Sequence, residues 1–147
     1  MELVKTGAIV LDCAEPEELA DFYKELLRAK ECSDGTSSRT DIEAPSGLRI
    51  GLRRDLNATP PSWPRPEGSL QAHLEFHVDA KDLDAVERRI VALGGLPVEA
   101  SGRSGGPTSA RQYADPAGHS FTVPGTAGPS VLAPSPSQLA PGEGSSY

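Results

Sequence analysis

The chain has 147 residues and a formal net charge of −7, a size that favours one domain and a charge that repels phosphate backbones, which argues against nucleic acid as a partner. Its arginines gather only at Arg49, Arg53, Arg54 and at Arg88, Arg89, which read as solvated surface. No stretch approaches the ~20 apolar residues that span a bilayer, and Met1–Lys5 lacks the basic-then-apolar layout of a signal peptide. The cytosol is therefore the expected compartment, with Cys13 and Cys32 reduced. Gly (15) and Pro (14) are abundant, so part of the chain is expected to stay outside the core.

Residues 5–13 read as a strand, β-branched at Ile9 and Val10. Pro16 suits the first position of a helix, Glu17 and Glu18 suit its dipole, and Leu19, Phe22, Tyr23, Leu26 and Leu27 follow helical spacing. Strands are expected at 39–44 and 48–53, the second alternating apolar and polar residues. Residues 54–70 hold Pro60, Pro61, Pro64 and Pro66 around the one Trp, Trp63; a loop this long is functional or a linker. In 71–78, His73, Glu75 and His77 alternate with Leu74, Phe76 and Val78, which places the first trio on one strand face. A helix over 81–93 carries Leu83, Val86, Ile90 and Leu93 as its buried stripe and stops at Gly94-Gly95. Strands at 96–99, 109–114 and 119–123 follow, the last after the turn Asp115-Pro116-Ala117-Gly118. Residues 124–147, rich in Pro, Gly, Ser and Ala, read as a disordered tail.

The order strand–helix–three strands thus occurs twice. Leu19, Phe22 and Leu26 correspond to Leu83, Val86 and Ile90, and Gly47–Leu52 corresponds to Gly118–Val123. With Ile9-Val10-Leu11-Asp12 before Glu15–Tyr23, with His73–Asp79, with Leu93-Gly94-Gly95 and with Asp115–His119, the chain resembles the vicinal oxygen chelate superfamily over residues 5–123. That superfamily includes glyoxalase I, the bleomycin- and fosfomycin-resistance proteins and the extradiol dioxygenases. The resemblance implies an α+β fold of two βαβββ modules whose curled mixed sheets enclose a cavity. Module one would span about 5–53 and module two about 71–123, within a domain over 1–123, and the modules would pair within one chain or across a homodimer.

Metal enzymes of the superfamily place four ligands on the inner faces of the first and last strands of both modules. By position these fall on Ala8, Gly51, His73 and Thr122, of which only His73 is a metal-capable residue, so a divalent metal is disfavoured. A ligand-binding lining of Asp12, Arg49, His73, Glu75, His77 and Thr122 is expected, joined by Val10 and Ser120, by Arg111 or Tyr113 from the neighbouring strand, and by Trp63 from the loop. The favoured function is metal-independent binding of a small organic molecule, a drug or a metabolite. The alternative is a lyase, isomerase or dioxygenase-like enzyme in which His73, His77 and Glu75 serve as acid–base groups, or in which His73 and Glu75 help to hold a metal.

Overall fold

A computed structural model describes residues 3–32, 38–59, 72–98 and 110–126. Trp63, the turn at 101–107 and the tail beyond 126 lie outside the described residues. In module one the first helix, α1 (Pro16–Leu27), begins at Pro16 and carries Glu17 and Glu18 in its first turn. It ends where Arg28 turns left-handed (φ 54°). Leu19, Ala20, Phe22 and Tyr23 form its buried stripe, as the 3.6-residue period requires. The strands are β1 (Ile9–Cys13), β2 (Lys30–Glu31), β3 (Arg39–Glu43) and β4 (Arg49–Arg54). Their order in the sheet is β1-β4-β3-β2, with β1 parallel to β4 and the rest antiparallel.

Module two repeats this plan with β5 (Leu74–Glu75), β6 (Val78–Asp79), α2 (Leu83–Ala92), β7 (Leu96–Val98), β8 (Arg111–Ala114), β9 (Ser120–Val123) and β10 (Gly125–Thr126). The second sheet is ordered β5-β9-β8-β7, again with its first and last module strands parallel. The fold is therefore α+β with two mixed four-stranded sheets, each with a helix. The single strand expected over 71–78 is broken. Phe76 donates its N–H to the Thr122 carbonyl (2.9 Å) and Val78 donates to Pro124 (3.3 Å), so the chain changes partner from β9 to β10 between the two.

The repeat extends to the turns. Gly47 (φ 95°) and Gly118 (φ 94°) occupy equivalent positions in the same left-handed conformation, which favours glycine. Each turn is closed by the same pair of bonds: Ala44 N–H to Leu48 O (2.9 Å) with Gly47 N–H to Ala44 O (2.9 Å), and Asp115 N–H to His119 O (2.8 Å) with Gly118 N–H to Asp115 O (2.9 Å).

The helix-side faces of both sheets share one core. Ile42, Ile50 and Leu52 from module one meet Tyr113, Phe121 and Val123 from module two, with Phe22 and Tyr23 of α1 in the same cluster. Phe121 is the centre of the aromatic set: its ring lies 5.5 Å from Tyr113, 5.6 Å from Phe76, 6.1 Å from Phe22 and 6.4 Å from Tyr23. Aromatic pairs at these separations add ~0.5–1.5 kcal/mol each beyond the area they bury.

Candidate functional site on the open sheet faces

Because side chains alternate along a strand, the residues between the buried positions point away from the shared core. On sheet one, the register sets Val10 beside Gly51, Asp12 beside Arg53, and Arg39, Asp41 and Glu43 beside Arg53, Gly51 and Arg49. Three arginines and three carboxylates thus share this open face. Arg53 grips Asp12 with two bonds (2.7 and 3.0 Å), and this bond is what holds the Asp12 carboxyl below its usual range. Arg39 grips the buried Asp41 in the same way (2.6 and 3.2 Å), and Arg49 Nε stands 3.8 Å from Asp41 Oδ2.

Gly51 makes room for Arg39. A Cβ built at Gly51 would lie 2.7 Å from Arg39 Nη2 and 2.9 Å from its Cζ. The guanidinium therefore covers the position from which a side chain of β4 would project.

On sheet two, Glu75 lies beside Thr122 and Thr122 beside Gln112. Thr122 is 7% exposed, and its Oγ1 has no hydrogen-bond partner among the described residues. A buried hydroxyl left unpaired costs ~1–3 kcal/mol.

Of the residues expected to line the cavity, Val10, Asp12 and Arg49 fall on the first open face, and Glu75, Ser120 and Thr122 on the second. The expectation for Arg111 and Tyr113 is corrected. Opposite Val123 and Phe121, they face α2, where Arg111 pairs with Asp84 (2.8 Å) and the Tyr113 hydroxyl donates to Glu87 (3.0 Å). Tyr113 is wholly buried, and burial, assisted by the Glu87 bond, pushes its phenol up to about 12. Gln112 and Ala114 take the open-face positions instead.

The His73–Glu75–His77 trio is likewise not one unit. His73 is exposed and precedes β5, while His77 Nε2 lies 3.1 Å from Glu75 Oε2. His77 lines an open groove of about 510 Å³ with Asp79, Asp82, Val86 and Arg89.

A buried polar cluster that the residue pattern does not announce lies where the modules meet. Asp115 has no exposed side-chain surface. It accepts bonds from the Tyr23 hydroxyl (2.7 Å), from the backbone N–H of Ala117 (2.9 Å) and of His119 (3.0 Å), and from His119 Nδ1 (2.9 Å). The other ring nitrogen, His119 Nε2, lies 2.8 Å from the Asp12 carbonyl oxygen of module one. Burial, followed by the charge of Asp115, pushes the Tyr23 phenol well up. The signal available in the sequence was an Asp and a His four residues apart around a Pro-Ala-Gly turn.

The four family metal positions hold Ala8, Gly51, His73 and Thr122, which offer one imidazole and one hydroxyl. Arg39 places positive charge over Gly51, and among the described residues no three His, Cys, Asp or Glu side chains are grouped to hold a metal. This donor set does not fit a divalent ion.

Residues 8–124 match the profile of the glyoxalase-like domain. The chain belongs to that family, and so to the vicinal oxygen chelate superfamily. Among solved structures it is similar to the fosfomycin resistance protein FosX from Listeria monocytogenes (hexagonal form), with 19% identity, TM-score 0.64, and coverage of 87% of this chain and 96% of that one. A mutant of that FosX in complex with Mn(II) and 1S,2S-dihydroxypropylphosphonic acid gives 20% identity, TM-score 0.62 and coverage of 85% and 93%. A hypothetical protein from S. aureus gives 14% identity, TM-score 0.61 and coverage of 85% and 100%. No curated protein matches the chain. At these identities the likeness shows the fold. No helix among the described residues is long and apolar enough to cross a membrane.

Proposed function

We propose that the protein is a metal-independent, cytosolic binder of a small organic molecule on its open sheet faces. The observation that carries this reading is the nine-tenths buried Thr122 hydroxyl beside Glu75, which has no partner among the described residues. Buried polar groups are ordinarily satisfied, and a polar atom of a ligand would satisfy this one. The Arg39 guanidinium over Gly51 supports independence from metal, since it supplies fixed positive charge at a position where metal enzymes of the fold use a ligand. One relative in fold holds a small phosphonate, together with Mn(II).

The test is a thermal-shift and calorimetric screen of small organic molecules with EDTA present. A ligand binding one to one is expected, with Thr122→Val weakening it about tenfold, or ~1.4 kcal/mol. The same substitution should leave the free protein equally stable or up to ~1–3 kcal/mol more stable, because the unpaired hydroxyl is gone. Affinity unchanged in Thr122→Val would sink the reading.

The 3.1 Å contact between His77 and Glu75 favours a second reading, a metal-free acid–base enzyme. Under it, His77→Ala would lower a turnover rate by about 10²-fold or more, whereas the binder reading expects only a modest loss of affinity.

We also propose a homodimer. β1 and β5 stand at the edges of their sheets, and Ile9 and Val10 on β1 are 45% and 41% exposed. An exposed apolar edge strand is a template for pairing with another chain. Sedimentation should give twice the chain mass, and Val10→Lys should shift the species to monomer; a monomeric wild type at high micromolar concentration would refute the dimer.

A further inference from the structure

We propose that His119 is a proton-operated latch between the two modules: with both ring nitrogens protonated it ties Asp115 of module two to the Asp12 carbonyl of module one, and loss of one proton frees the strand that carries Asp12. The inference is independent of what the open faces bind.

The geometry carries it. Nε2 faces a backbone carbonyl, which can only accept. Nδ1 faces Asp115, whose two oxygens already accept from a phenol and two backbone N–H groups and which therefore acts as a carboxylate. An imidazolium donates to both partners, whereas a neutral ring leaves a lone pair against an oxygen at one of them. The Asp115 carboxylate holds Nδ1–H more strongly than a neutral carbonyl holds Nε2–H, so the proton lost to solvent is the one on Nε2. His119 is a quarter exposed, which gives water access to the ring.

Among the described residues, the other titratable and charged groups around it come from β1, β4 and α1. β1 contributes the Asp12 carboxylate, held by Arg53 of β4 and below its usual range, and the Cys13 thiol, which burial and then Asp115 push up. From α1 comes Tyr23, pushed well up by burial. Glu15 and Glu18 line the cleft of about 260 Å³ beside Cys13, Pro116 and Ala117. Burial opposes the charge on His119 itself, but the bond to Asp115, that carboxylate's charge and the bond to Asp12 outweigh it, and the ring's pKa stands above its ordinary value.

The sign follows. A group whose pKa is raised by folding stabilises the folded state below its unfolded pKa, ~6.5 for His. That contribution is lost as pH rises through the higher folded value. Above it, one released proton makes opening of the junction up to about tenfold easier per pH unit, until the whole contribution is gone.

The experiment is long-range ¹H–¹⁵N NMR of the full chain labelled on its three histidines, with His119 assigned by His119→Gln. It is combined with hydrogen exchange of the β1 amides from Leu11 to Cys13, corrected for intrinsic rates. The expected result is a His119 ring protonated on both nitrogens at pH 6 that loses one proton only above the unfolded-state value of ~6.5. Protection of β1 should then fall with rising pH in the wild type, with no matching fall in His119→Gln. A ring that loses that proton at or below the unfolded-state value of ~6.5 would overturn the latch, as would β1 protection with the same pH profile in both proteins. Should His119→Gln fail to fold, the wild-type comparison remains decisive: β1 protection must fall at the pH where His119 loses its proton, and a fall elsewhere or none refutes the proposal.

Discussion

Replacing Asp115 with alanine is expected to lower stability by about 3–5 kcal/mol, the range for removing one member of a buried charged network. Four donors converge on this carboxylate, which has no exposed side-chain surface. Its loss leaves the Tyr23 hydroxyl and two backbone N–H groups without an acceptor and strips His119 of its counter-charge. Asp115→Asn separates the contributions. Its amide oxygen still accepts from Ala117 and His119 backbone N–H, but its NH₂ cannot accept from the imidazolium. A smaller cost of about 1.5–3 kcal/mol is expected, the worth of a bond to a charged group. Urea unfolding at pH 7 measures both. A cost under about 1 kcal/mol for Asp115→Ala would mean that water or a rearranged turn replaces the carboxylate, and the cluster would not be what joins the modules.

Phe121→Ala should be comparably severe, about 3–5 kcal/mol, as for other large buried aromatics. Phe121 is completely buried and meets rings from α1 (Phe22, Tyr23), from the bend after β5 (Phe76) and from β8 (Tyr113). Of these rings, only Tyr113 stands on a strand that pairs with β9. The truncation therefore opens a cavity at the place where both modules meet, and collapse from one side cannot fill it without moving α1. Since domains are stable by only ~5–15 kcal/mol, the variant should unfold at markedly lower urea, with little change in m-value if it still unfolds in one step. Phe121→Leu keeps most of the volume and should cost clearly less. Equal costs for Ala and Leu would show that ring geometry, rather than filled space, is what the core requires.

The repeating pattern in the sequence was enough for much of this architecture. The stripe Leu19, Phe22, Tyr23 and the alternation in 48–53 emerge as α1 and β4 because amphipathic period is a local property that tertiary packing reinforces. The two Gly-closed turns were legible because only glycine takes that backbone conformation without strain. Short pieces were not. β2 and β10 have two residues each, too few to show a period, and exist because a neighbouring edge offers hydrogen bonds.

The open faces were partly legible. Alternation put Asp12, Arg49, Glu75 and Thr122 on them, but the parity of β8 depended on where its pairing with β9 begins. A one-residue difference moved Arg111 and Tyr113 to the helix side. His73 and His77 differ in setting because the strand between them is only Leu74–Glu75 and the chain then passes from β9 to β10, a change of partner that an alternating pattern does not show. The His119 cluster is not legible in the sequence because its partners, Tyr23 and Asp12, lie 92 and 107 residues away along the chain from the residues they meet.

The short final strand has a practical consequence for anyone shortening this protein. Sequence composition suggests cutting after Val123, where the apolar pattern ends. Yet Gly125 and Thr126 pair in parallel with Val78 and Asp79, the Thr126 hydroxyl donates to the Val78 carbonyl (3.2 Å), and Gly125 fits so closely under Leu83 that an added Cβ would come within 2.6 Å of it. A truncation or a fused reporter placed at 123 would strip the backbone partners from the segment leading into α2, whereas a junction after Thr126 leaves that seam closed.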